Sequence, residues 1–196
     1  MNLEETVTTA VSAHPAVEGI ELIGSRAEGR EPEWSDWDFA VRARDFDALA
    51  GALPRLLAPL EPLVQQWDRL SKEQCWMLIL RGPVKVDLIF PDDPHEQEGP
   101  WETGPETLGG IDDHFWDWML WLRGKESAGK DVLVATELEK LFAHLLGPLG
   151  ADAVPASVAN AVESYRSARG RAERRFGRMV SRAVEEEVAP SLRCPD

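Results

Sequence analysis

Two short apolar runs carry acids where a strand ordinarily buries hydrocarbon, and they constrain the fold more than anything else in the chain. Trp37-Asp38-Phe39-Ala40-Val41 follows Ser35-Asp36, and Val84-Lys85-Val86-Asp87-Leu88-Ile89-Phe90 follows a turn at Arg81-Gly82-Pro83. Both runs read as strands. Side chains two apart on a strand share a face, so Asp36 and Asp38 point the same way, with roughly 6.5–7 Å of chain between them. Trp37, between them, points to the opposite face. Lys85 and Asp87 also share a face. Lys85 is a candidate phosphate contact or an ion-pair partner of Asp87 or Asp38.

The stretches around these runs supply the rest of a sheet. Val17 to Ile23 is a strand that runs into the glycine turn Gly24-Ser25-Arg26-Ala27-Glu28-Gly29, and Leu63 to Trp67 and Gln74 to Leu80 are two more strands. Leu3, Val7 and Val11 make a helical stripe that His14-Pro15 closes. Asp45 to Leu57 has a helical apolar face, with Pro54 marking a break or a new start. From Pro91 to Leu108, prolines, glycines and acids give a loop. Helices follow: Ile111 to Arg123 ending at Gly124, one from Asp131 to the stop at Gly147-Pro148, and one from Pro155 onward with breaks expected at Gly170 or Gly177. The expected class is α+β: a mixed sheet with helices over 1–90, a linker over 91–108 and a helical bundle over 109–188.

Composition narrows the function. A net charge of -14 in 196 residues opposes broad binding to nucleic acid and suits a cationic partner. The charge is uneven: residues 166–196 carry a net +3, which leaves -17 on the remainder. No run reaches the roughly 18–20 apolar residues of a membrane span. The acidic start, Met1-Asn2-Leu3-Glu4-Glu5, is unlike a signal peptide. Two cysteines, Cys75 and Cys194, make no disulfide framework, so a cytoplasmic setting is expected.

The acids and the glycine turn suggest one chemistry. Two carboxylates at about 4 Å repel by about 4 kcal/mol at an effective dielectric near 20, and a divalent cation removes that conflict. Hard oxygen donors suit magnesium, which shares its shell with substrate phosphates. A third carboxylate, Asp87, would be a further metal ligand or a general base. Gly24 lets backbone approach a phosphate, the Ser25 hydroxyl can donate to it, and a helix start after the turn would add its dipole. Arg26 is a candidate for triphosphate charge or for a structural ion pair.

At Gly24-Ser25-Arg26-Ala27, Ser35-Asp36-Trp37-Asp38-Phe39-Ala40-Val41 and Val86-Asp87-Leu88 the chain resembles the DNA polymerase β superfamily of nucleotidyltransferases, of the aminoglycoside and lincosamide or minimal type. The resemblance covers about 70 residues. It implies magnesium-dependent transfer of a nucleoside monophosphate, AMP from ATP, to a small-molecule hydroxyl such as that of an aminoglycoside-like antibiotic. It further implies Asp36 and Asp38 as catalytic metal ligands, Asp87 as a third metal ligand or the catalytic base, and Gly24 and Ser25 at the phosphates; Arg26 and Lys85 are candidate nucleotide contacts by their own positions. A homodimer is compatible with it. The alternatives are an antitoxin-like enzyme that modifies or neutralises a protein toxin, and a silent binding module.

Other residues have two readings. Trp34 is a candidate for base stacking or for packing. Asp112, Asp113 and Asp117 sit in an aromatic-rich helix and are candidate acceptor-site acids, although that helix is apolar on several faces and reads mainly as core. His14, His95, His114 and His144 lack ligand spacing. The arginines of 166–182 alternate with Ala172, Phe176 and Met179 at helical spacing and read as a solvated helix face.

Overall fold

The structure is a computed structural model that describes residues 2–29 and 34–192. Cys194 therefore lies outside the described residues, and Cys75 is buried. The chain divides into two compact units, Met1–Glu98 and Gly99–Asp196. The protein is α+β, with a five-stranded mixed sheet followed by helices.

In the first unit, helix α1 (Leu3–Ser12) begins where the Asn2 side chain accepts the Glu4 N–H, and it buries Val7 and Val11. Strand β1 (Val17–Ile23) leads into a single helical turn, α2 (Gly24–Ala27). Strand β2 (Trp37–Ala43) is followed by α3 (Phe46–Leu57), capped by Asp45 on the Ala48 N–H. Pro54 does not break α3. It is exposed, while Leu53 and Leu57 anchor the helix in the core. Strands β3 (Val64–Trp67), β4 (Glu73–Leu80) and β5 (Val84–Pro94) complete the sheet.

The sheet order is β1-β2-β5-β4-β3, and β2–β5 is its parallel pair. One face carries the core. Phe39, Val41, Val86, Leu88, Phe90, Trp76 and Leu78 pack with Val7, Val11, Leu49, Leu53 and Leu57 of α1 and α3. Trp37 packs against the edge of that cluster. Alternation therefore turns Asp38, Lys85 and Asp87 to the opposite face.

The expected linker 91–108 is shorter. Strand β5 runs on to Pro94, which pairs with Glu73 after a bulge, and the His95 and Glu98 N–H groups bond the Lys72 and Arg69 carbonyls. Backbone pairing, invisible in a proline-rich composition, ties 91–98 to the first unit.

The second unit is helical: α4 (Leu108–Ser127), α5 (Asp131–Leu141), α6 (Val158–Phe176) and α7 (Ala183–Val188). Helix α4 passes through Gly124, and its terminating glycine is Gly129, at φ +66°. An interior glycine costs only about 1 kcal/mol, and buried Leu120, Leu122 and Arg123 hold the helix just before it. Helix α6 likewise passes Gly170 and stops at Gly177, at φ +63°. No described helix is long and apolar enough to cross a membrane.

Candidate active site

The antiparallel pairing of β1 with β2 builds the first part of the site. Ile23, the last residue of β1, is level with Asp38. The residue that follows, Gly24, therefore turns directly over the Asp38 carboxylate. Gly24 has φ +73°, and a Cβ there would lie 2.9 Å from Asp38 Oδ2. Both the backbone conformation and the close approach require glycine.

The parallel pairing of β2 with β5 brings in the second part. Asp38 is level with Asp87, one residue beyond the registered pair Trp37 and Val86. Asp36 and Lys85 are the residues just before that pair, so the register carries them to neighbouring positions as well. Neighbouring strands lie about 4.8 Å apart, so a short stretch of one sheet face holds the Asp38 and Asp87 carboxylates and the Lys85 ammonium, with Asp36 just before β2 begins. Lys85 is 6% exposed, and its Nζ donates to Asp87 Oδ1 at 2.6 Å. Of the two readings of Lys85, ion pair or phosphate contact, the structure displays the ion pair.

The loop before β2 is fixed from the glycine turn. Arg26 Nε donates to the carbonyls of Ser35 at 3.0 Å and Asp36 at 3.1 Å, and Nη2 donates to Ser35 at 2.7 Å. The guanidinium also lies over the Trp37 ring, 4.2 Å from its centroid. The Ser25 and Ser35 hydroxyls are hydrogen-bonded to each other. Arg26 thus holds backbone. Helix α2 is a single turn, so the expected helix dipole shrinks to a few oriented N–H groups. Trp34 is exposed beside this loop.

Asp36 and Asp38 are half-buried carboxylates two residues apart, a donor set whose chemistry fits a magnesium ion. Among the described residues no three His, Cys, Asp or Glu side chains are gathered as a metal cage. Magnesium does not need one, because it keeps waters and binds one or two carboxylates together with substrate phosphates.

In the second unit the three candidate acids separate. Asp112 is 1% exposed and accepts from Tyr165 Oη and, at 2.7 Å, from Arg169 Nη1. Arg169 also bonds Glu185, which takes Arg166 Nε at 2.7 Å. Burial pushes the Asp112 carboxyl up, while Tyr165 and Arg169 hold back the rise. Asp112 is therefore spent inside the bundle. Asp113 is raised to about 7 by burial and by the charge of Asp112. Asp117 is buried. The Arg-rich segment is not uniformly solvated: Arg169 is interior, and Glu173 receives Arg182 at 2.6 Å and the Val180 N–H at 2.9 Å. Sequence reading missed these pairs because Asp112 lies 53 residues from Tyr165 and 57 from Arg169, with no local pattern to join them.

No family model and no curated protein matches the chain. Solved structures give loose similarities. One is to the polymerase core of TRAMP, an RNA surveillance complex: TM-score 0.36, 11% identity, 61% of this chain and 38% of that one. Another is to the GLD-2/RNP-8 complex: TM-score 0.39, 16% identity, 74% of this chain and 50% of that one. A third is to an aminoglycoside 6-adenyltransferase from Bacillus subtilis: TM-score 0.33, 9% identity, 97% of this chain and 99% of that one. The chain spans half or less of the first two. Superpositions this loose carry no chemistry from those proteins to this chain.

Proposed function

We propose that the first unit is a magnesium-dependent nucleotidyltransferase that moves a nucleoside monophosphate, AMP from ATP, to a hydroxyl of a small molecule. One observation supports this above the others: Gly24 turns against Asp38 Oδ2 while Asp87 stands level with Asp38 on the neighbouring parallel strand. That geometry sets a backbone turn able to face phosphate beside an acidic pair, as the resemblance at these motifs implies.

Asp36 and Asp38 would hold the ion. When bound, magnesium would neutralise phosphate charge and polarise the α-phosphate for attack. The backbone N–H groups after Gly24 and the Ser25 hydroxyl would orient the triphosphate. Arg26 would act indirectly, by fixing the backbone from which Asp36 projects. Asp87, beside Asp38, would complete the centre. In the transfer the acceptor oxygen bonds the α-phosphorus, the bond to the departing pyrophosphate breaks, and the acceptor proton leaves to a base. The net charge of -17 over residues 1–165 favours a cationic acceptor, such as a polyamine or aminosugar.

The test is pyrophosphate release from Mg-ATP, and from the other nucleoside triphosphates, across a panel of amino-substituted sugars and neutral controls. Turnover with a cationic acceptor that is lost in Asp38→Asn is expected. Silence with every nucleotide and acceptor refutes the reading.

A further inference from the structure

Among the described residues the acids of this face are not equivalent, because Lys85 is bonded to Asp87. The Lys85 ammonium is also not a casual neighbour. It is 6% exposed and bonded at 2.6 Å to Asp87 Oδ1. Its strand partner Ile79 is fully buried, so the lysine stem runs through packed hydrocarbon, which limits its freedom to swing away. A cation entering beside Asp87 would have to displace or approach a fixed like charge in a weakly solvated place.

We infer that Lys85 stands in for a second metal ion: the centre takes one divalent cation on Asp36 and Asp38, and the Lys85 ammonium keeps Asp87 off that metal. The inference rests on the proposed nucleotidyltransferase site and decides between the two roles left to Asp87, excluding the metal ligand. Lys85 is then a positioning residue. It fixes the Asp87 carboxylate and supplies permanently the charge that a second ion would bring.

The probe is Mn²⁺ alone, titrated without nucleotide on the full chain and read by electron paramagnetic resonance and by Mn²⁺-dependent thermal shift. Asp38→Asn should weaken the tightest site by about tenfold or more, as the loss of a ligand does. Lys85→Met removes the opposing charge and should tighten it by about tenfold, with a larger Mn²⁺-dependent thermal shift. The decisive variant is the double change Lys85→Met with Asp87→Asn, which keeps side-chain volume and local net charge. It should retain Mn²⁺ affinity within about threefold, since no ligand is lost. A melt without metal verifies that each variant folds. If the double variant loses Mn²⁺ as badly as Asp38→Asn, Asp87 is a ligand and the inference falls while the site stands. If Asp38→Asn leaves Mn²⁺ binding untouched, the site reading itself fails.

Discussion

Gly24 offers the sharpest perturbation, because Gly29 provides its control in the same turn. Both glycines have left-handed φ, +73° at Gly24 and +61° at Gly29. Alanine in that region costs roughly 1–2 kcal/mol, offset in part by a stiffer unfolded chain. For a unit of about 100 residues, each kcal/mol lowers Tm by about 4–8 °C. Gly24→Ala and Gly29→Ala should therefore melt lower by similar amounts.

They differ in what the new methyl meets. At Gly29 nothing lies within 4 Å, whereas at Gly24 the methyl would sit 2.9 Å from Asp38 Oδ2, when ordinary contact starts at 3.4 Å. The carboxylate must retreat by about half an ångström, the tolerance within which a working site must be held. A full ångström of misplacement costs about a hundredfold, so half of that is worth about tenfold. Mn²⁺ affinity, measured without nucleotide or acceptor, should fall about tenfold in Gly24→Ala and stay unchanged in Gly29→Ala. Equal Mn²⁺ affinities in two variants of equal stability would refute the claim that Gly24 sets the place of Asp38.

Arg26→Ala loses three hydrogen bonds to the carbonyls of Ser35 and Asp36 and the stack on Trp37. It should lower stability by about 2–3 kcal/mol in urea melts and weaken Mn²⁺, and Arg26→Lys should not rescue it because an ammonium lacks the planar fork. Asp112→Ala leaves Arg169 buried against no carboxylate there, and should cost about 3–5 kcal/mol by urea midpoint. Asp113 carries a pH dependence, since its folded pKa is raised to about 7 from 3.8. The folded state then binds the proton that the unfolded chain releases, so its contribution is full below pH 3.8 and declines until about pH 7. Asp113→Asn should match the parent near pH 4 and melt higher at pH 8, by up to about 4 kcal/mol. A variant that melts lower at pH 8 would show that the Asp113 charge is stabilised.

What the sequence discloses and what it conceals divide by distance along the chain. All five strands are legible because alternation and turn residues act over a few positions. That Asp38 leaves the core face is legible for the same reason. Which strand lies beside β2 is not, since the parallel partner β5 is about fifty residues away and its register is set by packing. The ion pair of Lys85 with Asp87 needs only a spacing of two, and it was within reach. The role of Arg26 was not, because its partners are backbone carbonyls that carry no sequence signature. The end of α4 was misread at Gly124, because burial outweighs propensity at an interior glycine, whereas of the two breaks expected in α6 the one at Gly177 is its end and Gly170 is passed.

Site and core turn out to be one constraint. The alternation that sends Trp37, Phe39, Val86 and Leu88 to the helix-covered face is what sends Asp38 and Asp87 to the other. A slip of one residue between β2 and β5 would invert one strand's faces relative to the other. Asp87 and Lys85 would then turn into hydrocarbon, at a cost of several kcal/mol per buried ion. The core thus fixes the register, and the register sets Asp38 level with Asp87. It follows that Asp38 can be exchanged for asparagine with little harm to the fold, while cutting Phe39 or Leu88 back to alanine should disturb both fold and site. In the alanine variants stability and Mn²⁺ binding should fail together, and in Asp38→Asn they should come apart.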